Sequence, residues 1–399
     1  MLIKSIKLTN FLSFGTDSQA IELSSLNVII GRNGSGKTNL LEAIDLLRNA
    51  PSTMTTVIRE GGGVADWLYK GEKKHPAIME FIIENHAQVS GICYPELLYK
   101  ITFADEGQRF TILDEKITSA GSGRGYTEPY IFYDYCAGNP VLSVKSGNNE
   151  TDYYERRLSR DEISPEQSIL KQRHDPDSYP EITSLAKEVS KIKIYREWSL
   201  GRCTLVRRPV NVDAANDFIN EDCSNLPLML NQLEYLGRKP AVLDMLRLFY
   251  NDVEDFNVTL SGGTAQLFFR ESGLGGLIPA ARLSDGVLRY LFLLCILLHP
   301  SPQPLICIDE PEIGLHPDIL PTLGRLLIEA SEHSQLIVTT HSPALIDSLS
   351  HTPDCVLVAE KENAKTNISR IDKDELAPWL KKYRLGELWS RGDIGGNIW

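Results

Sequence analysis

The chain has 399 residues, 42% of them hydrophobic and 24% charged, and a formal net charge of −12. These fractions lie near the globular averages of about 45–50% and about 25%, which excludes collagen-like, coiled-coil and wholly disordered classes. A chain of this length can bury a large core without disulfides or metal, and its acidic balance excludes a uniformly basic nucleic-acid binder while allowing a local basic patch.

No run reaches the roughly 18 apolar residues of a membrane span; the longest, Tyr290 to Leu298, stops at His299-Pro300. Met1-Leu-Ile-Lys-Ser-Ile-Lys7 alternates like a strand and lacks a signal-peptide core, so a cytoplasmic protein with no membrane partner is expected. Seven cysteines stand singly, with no C-x-x-C pair, so neither a disulfide framework nor a zinc site is signalled.

In chain order, Leu2–Leu8, Ala20–Leu23 and Leu26–Ile30 read as strands, and the last is the short apolar run of a buried sheet. A glycine loop follows, then a helix over Thr38–Leu47 on the spacing of Leu40, Leu41, Ile44 and Leu47. Short antiparallel strands are expected at Ala77–Ile83, Leu97–Phe103, Arg109–Glu115 and Tyr130–Tyr133, punctuated by the glycine-rich clusters 120–125 and 146–149. Charged residues and prolines at 165, 176 and 180 make 151–180 a connector, with room for one helical turn. Residues 182–250 read as mostly helical, clearest at Leu228–Leu236 and Pro240–Tyr250. Strands return at Val258–Leu260 and Gln266–Arg270. Helix and strand then alternate as Ser284–Leu298, Pro304–Ile308, Pro317–Ser331, Gln335–Thr339, Pro343–Leu349 and Cys355–Ala359, the α/β pattern.

Gly31-Arg32-Asn33-Gly34-Ser35-Gly36-Lys37-Thr38 matches G-x-x-x-x-G-K-[ST] at every fixed position, between an apolar strand and an amphipathic helix. Glycines let the backbone close around phosphate oxygens, and the helix N-terminus aims its free N–H groups at the same charge. In such a loop Lys37 reaches the β- and γ-phosphates of ATP and Thr38 ligates Mg²⁺. Arg32, Asn33, Gly34, Ser35, Gly36 and Asn39 complete the candidate nucleotide contacts.

Leu305-Ile-Cys-Ile-Asp309-Glu310 is an apolar strand ending in two carboxylates. Asp309 is the candidate for the Mg²⁺ shell and Glu310 for the general base on the attacking water. Ser284 and Gly286 open a long apolar helix as a second anion site, with an ordinary N-cap as the alternative. His341 ends a strand in Val338-Thr-Thr-His341-Ser342-Pro343.

The order Lys37, Ser284, Asp309, His341 resembles the ABC-type ATPases of the RecF/SMC/OLD group: phosphate loop, Leu-Ser-x-Gly signature, Walker B Asp-Glu and switch histidine. Leu8-Thr-Asn10-Phe11-Leu12-Ser13-Phe14 resembles that group's first-strand motif, with Leu12 where many relatives carry a basic residue. Glu310-Pro-Glu312-Ile-Gly-Leu-His316-Pro317 resembles its Walker B and D-loop. Arg208–Asp213 and Leu385–Trp389 are similar to predicted bacterial AAA-type ATPases of this group. The resemblance implies a P-loop ABC-type ATPase head, α/β, with a mixed β-sheet lobe. The ATPase domain is then discontinuous over 1–150 and 255–399, with 151–254 an inserted connector and mainly helical lobe.

Between Lys37 and Asp309 no heptad pattern is sustained, which favours a compact RecF- or OLD-like head over an SMC arm. The 58 residues from 342 to 399 are too few for a fused Toprim nuclease, so none is expected. Gln167 is the candidate Q-loop glutamine, with a plain helix-start polar residue as the equal alternative. Lys187 to Arg208 collects Lys187, Lys191, Lys193, Arg196, Arg202, Arg207 and Arg208 around Tyr195 and Trp198, either a nucleic-acid track, or a solvated face or one paired within the chain with its acidic surplus.

The resemblance implies an Mg²⁺-dependent ATPase forming a head-to-tail homodimer around two nucleotides. Its expected output is control of a DNA transaction, in repair or in anti-phage and anti-plasmid defence. The alternatives are an ATP-binding scaffold recruiting a separately encoded nuclease or other effector, and an ABC transporter energiser. The transporter reading is disfavoured by the long insertion and by Leu-Ser-Asp-Gly in place of Leu-Ser-Gly-Gly-Gln.

Overall fold

The computed structural model describes residues 1–71, 75–87, 94–121, 129–145 and 153–395. The glycine-rich positions 122–125 and 146–149 lie outside them. The chain divides into two compact units, 1–192 with 354–371, and 193–353 with 372–399.

The first unit holds an eight-stranded antiparallel sheet among the described residues. Its order is Ile21–Glu22, Ile3–Thr9, Ala77–Glu84, Glu96–Asp105, Phe110–Ser119, Ile131–Cys136, Asn139–Lys145 and Tyr153–Arg157. Alternation explains the central strands: Ala77, Met79, Phe81 and Ile83 are buried, and the residues between them face outward. The last two strands were not evident in the sequence, because Pro140 and the run Tyr153-Tyr-Glu-Arg-Arg157 weaken the period-two signal.

In the same unit Leu26–Gly31, buried along its whole length, runs parallel to Val356–Glu362, which pairs antiparallel with Lys365–Arg370. Helix Lys37–Asn49 follows the first of these strands and buries Leu40, Leu41, Ile44 and Leu47, as their spacing predicts. The segment Asn10–Phe14 folds into a tight reversal with Asn10 at φ 54° and Leu12 at φ 48°. Left-handed backbone at a leucine is costly; the buried rings of Phe11 and Phe14 and the Leu12 N–H bond to the Trp67 carbonyl (2.9 Å) hold it there.

In the second unit Leu305–Asp309 runs parallel to both Gln335–Thr340 and Lys193–Tyr195. Between them in the chain lies helix Asp285–Leu297, buried at every residue from Val287 to Leu297, as expected of a helix apolar all round. A small antiparallel sheet joins Val210–Asn211, Thr264–Glu271, Val253–Ser261 and Ile278–Pro279.

The stretch 182–250 differs from its mostly helical reading. Helices occupy Pro180–Ser190, Leu226–Tyr235 and Lys239–Arg247, but Lys193–Tyr195 is a strand and 196–225 is largely irregular. Pairing with Leu305–Asp309 decides the strand, and Gly201, Pro209 and the Asn/Asp-rich run 211–225 interrupt any helix. No helix among the described residues is long and apolar enough to cross a membrane.

Candidate nucleotide site

The phosphate loop belongs to the first unit. Gly34 (φ 77°) and Gly36 (φ 101°) adopt backbone that side chains resist. A Cβ on Gly34 would meet nothing, leaving the mouth of the loop open, whereas one on Gly36 would strike Thr366 Oγ1 and Ser13 Oγ. The loop is thus braced from outside. Thr366 Oγ1 lies 2.7 Å from Ser13 Oγ and donates to the Ser35 carbonyl at 2.8 Å, while Asn39 Nδ2 donates to Ser13 Oγ at 2.6 Å.

Lys37 Nζ donates to the carbonyls of Gly31 (2.8 Å) and Arg32 (3.1 Å), holding its ammonium across the loop. Ser35 Oγ is buried with no hydrogen-bond partner among the described residues. Arg32, Asn33, Gly34 and Thr38 are exposed. Asn39 is instead turned onto Ser13, an assignment that spacing alone could not supply.

The acidic pair belongs to the second unit. Thr339 is its organiser: Thr339 Oγ1 donates to Asp309 Oδ1 and accepts from the Glu310 N–H (3.2 Å), and its carbonyl accepts from the same N–H (3.1 Å). Glu310 stands at φ 48°, a left-handed conformation that is costly for a residue other than glycine. His341 Nε2 lies 3.1 Å from Glu310 Oε1, both side chains 32% exposed. Glu310 and His341 therefore meet side chain to side chain beside Asp309, the metal-ligand candidate.

Ser284 caps helix Asp285–Leu297, accepting from the Val287 N–H at 3.3 Å, and is exposed. A Cβ at Gly286 would lie 2.8 Å from the Gly314 carbonyl, so glycine there is required by the close approach of that backbone. Arg207 secures the approach to the helix. Its buried guanidinium donates to the carbonyls of Leu200 (3.0 Å), Ala280 (3.3 Å), Ala281 (3.2 Å) and Leu283 (2.7 Å) and pairs with Asp285.

The profile of the family described as "AAA domain, putative AbiEii toxin, Type IV TA system" matches residues 143–347, and that described as "AAA ATPase domain" matches 1–189. The chain belongs to the first of these families. This AAA-family protein is an ATPase. A Helicobacter pylori (strain ATCC 700392 / 26695) protein named ATP/GTP phosphatase is 22% identical over 380 residues, covering 94% of this chain and 93% of that one. An Smc head bound to the C-winged helix domain of ScpA has a similar fold, with TM-score 0.54 and 13% identity, covering 95% of this chain and 100% of that one. So does an Smc head from Pyrococcus furiosus with an extended coiled coil, bound to the C-terminal domain of ScpA, with TM-score 0.54 and 12% identity, covering 96% of this chain and 99% of that one.

Two further expectations for this AAA ATPase meet its structure differently. Gln167 sits half-buried in the turn before helix Ile169–Gln172, its carbonyl accepting from Gln172 Nε2 at 2.6 Å. The neighbouring Glu166 carbonyl accepts from Thr55 Oγ1 (3.2 Å) on helix Met54–Glu60. The run Lys187 to Arg208, by contrast, does not offer the stacking platform read from its aromatics. Tyr195 is buried, with its hydroxyl on the Ile219 carbonyl (2.9 Å) and its ring edge-on to Phe292. Trp198 bonds the Asp309 carbonyl (2.8 Å) beneath the Arg289 guanidinium, 4.6 Å from its ring centre. Lys191 pairs with Glu188 and Arg207 with Asp285, in line with the alternative of pairing within the chain; the internal engagement of the two rings was not visible in the sequence.

Sequence reasoning also passed over Ser13, Thr339 and Glu312 as working side chains, although each lies inside a quoted motif. Thr366 lies in no motif, and only the strand pairing of Lys365–Arg370 brings it to the loop.

Proposed function

We propose that this ATPase hydrolyses ATP with Glu310 as general base, and that the bound nucleotide closes a head-to-tail homodimer controlling a DNA transaction. The observation that carries the proposal is the Glu310–His341 pair at 3.1 Å, set beside Asp309 by Thr339. The open, glycine-lined loop and the unpartnered Ser35 hydroxyl within it fit a phosphate chain, which supplies acceptors for such donors. The hydroxyl of Thr38 and the carboxylate of Asp309 are hard oxygen donors suited to Mg²⁺. Bound Mg²⁺ would neutralise developing charge on the phosphates.

The roles of the protein groups follow. Lys37 and the loop N–H groups bind and orient the phosphates. Glu310 takes the proton of the attacking water, and His341 holds the Glu310 carboxylate in its reactive direction. Ser284 and Gly286, at a helix N-terminus, are assigned to the nucleotide of the partner subunit in the closed dimer. Gln167 is assigned to coupling between nucleotide and β lobe. The family description, which names a toxin and a type IV TA system, supports defence over repair as the setting. Because Tyr195 and Trp198 are engaged internally, DNA is assigned to another surface or to a partner effector such as a nuclease.

Lys37→Ala is expected to abolish ATP binding. Glu310→Gln is expected to bind ATP, stop turnover and accumulate a nucleotide-bound dimer, because Gln can hydrogen-bond water but cannot accept its proton. Phosphate release and light scattering on the two variants test the proposal; wild-type turnover by Glu310→Gln refutes the base assignment.

A further inference from the structure

Glu312 has no assigned role, yet its carboxylate is built into the strand exit that carries His341. After Glu310 the chain makes two tight turns, with the Ile313 N–H on the Glu310 carbonyl (3.3 Å) and the Leu315 N–H on the Glu312 carbonyl (3.0 Å). Gly314 (φ 77°) allows the reversal. The turns carry the Glu312 side chain back beneath the end of strand Gln335–Thr340. There Glu312 Oε1 accepts from Thr340 Oγ1 at 2.6 Å and from the His341 backbone N–H at 2.9 Å.

These bonds are specific in direction. Thr340 is fully buried, and its hydroxyl accepts from the Ser342 N–H (3.0 Å), so its single proton is free for Glu312. Ser342 in turn caps helix Pro343–Asp347 through the Leu345 N–H (3.3 Å). The other oxygen, Oε2, is buried without a partner among the described residues. Burial pushes the Glu312 carboxyl above its ordinary value, against the opposing pull of its hydrogen bonds. A carboxylate placed there at a cost in solvation is one whose two accepted bonds matter.

We infer that Glu312 is a positioning residue for hydrolysis: by fixing the Thr340 hydroxyl and the His341 backbone, it holds the imidazole against Glu310. The inference rests on the reading of Glu310 and His341 as the hydrolytic pair. The backbone of His341 sets where its ring begins, and Nε2 must end 3.1 Å from Glu310 Oε1. Misplacement of such a group by about 1 Å costs on the order of a hundredfold in rate.

The test measures steady-state ATPase kinetics, nucleotide binding and thermal melting on four variants of the full chain. Glu312→Ala is expected to lower kcat by roughly tenfold to a hundredfold, with KM and ATP affinity within about twofold of wild type. Glu312→Gln retains an accepting oxygen of the same reach and is expected to restore kcat to within about threefold. Thr340→Val, which keeps volume but removes one donor, is expected to fall between them, and it carries the test if Glu312→Ala does not fold. Glu310→Gln separates the two levels of the argument. If it turns over like wild type, the underlying reading fails. If it is inactive while folded Glu312→Ala or Thr340→Val keeps wild-type kcat, the positioning role alone is overturned. Failure of Glu312→Gln to rescue, or a loss confined to ATP affinity, also overturns it.

Discussion

Trp198 donates its indole N–H to the backbone carbonyl of Asp309 at 2.8 Å, across 111 residues of sequence. The last carbonyl of the Leu305–Asp309 strand is thereby satisfied by a side chain. The ring is held by Phe292 edge-on (centroids 5.5 Å) and by Arg289, whose guanidinium also donates to the Ile313 carbonyl. The expected result for Trp198→Phe, which keeps an aromatic ring but loses the N–H, is a loss of about 1 kcal/mol of stability. Its kcat is expected to fall while ATP affinity holds. Denaturant unfolding and steady-state kinetics on one preparation measure both.

Thr366→Val tests the bracing of the phosphate loop. The change removes the hydroxyl that meets Ser13 and the Ser35 carbonyl and keeps the shape. Losing a hydrogen bond worth about 1 kcal/mol should weaken ATP binding about fivefold. Equilibrium titration with a non-hydrolysable ATP analogue reads this directly, with kcat at saturation expected to stay near wild type.

Ser284→Arg addresses assembly. Ser284 is exposed and caps its helix through Val287, so the folded subunit should lose about 1 kcal/mol for the missing cap. The bulky cation should also block close approach of a second copy. The expected outcome is ATP binding close to normal with no ATP-dependent dimer by light scattering. Dimers of unchanged stability would reduce Ser284 to a cap.

Glu115 predicts a pH dependence of stability. Its buried carboxylate accepts from Tyr99 Oη (2.8 Å), Ser168 Oγ (2.5 Å) and the Ile169 N–H (2.9 Å). Burial outweighs these bonds and raises it from the ordinary 4.5 to about 7. The folded state then holds a proton that the unfolded state releases, so this contribution is complete below about pH 4.5 and is lost as pH rises through about 7. Urea midpoints between pH 4.5 and 8 should show that decline, and Glu115→Gln should flatten it in this window. Equal slopes in both proteins would refute the assignment.

The core motifs were legible because their chemistry is local. Gly31 to Thr38 specifies its own loop, since the glycines, the lysine and the helix start lie within eight residues. The apolar strand Leu305–Asp309 similarly announces its acidic end. Less was legible where a segment serves a distant partner. Lys193–Tyr195 is a strand only because Ile306 to Ile308 pair with it, and Tyr195 and Trp198 became internal supports for the same reason. Arg207 reads as one more surface cation, yet it is buried against three carbonyls of the segment leading to Ser284, those of Ala280, Ala281 and Leu283.

By itself, then, the sequence determined the family and singled out the Gly31–Thr38 loop and the Asp309–Glu310 pair as candidates, because spacing along a strand–loop–helix unit dictates which groups share one end of it. Only the tertiary structure decided how those groups are aimed. Thr339 between Asp309 and Glu310, Glu312 beneath Thr340 and His341, and Thr366 against Ser35 are contacts between segments 28 to 331 residues apart. Hydrogen bonds need atoms within about 3 Å, and no pattern of residue types along the chain specifies that distance between strands until they pack.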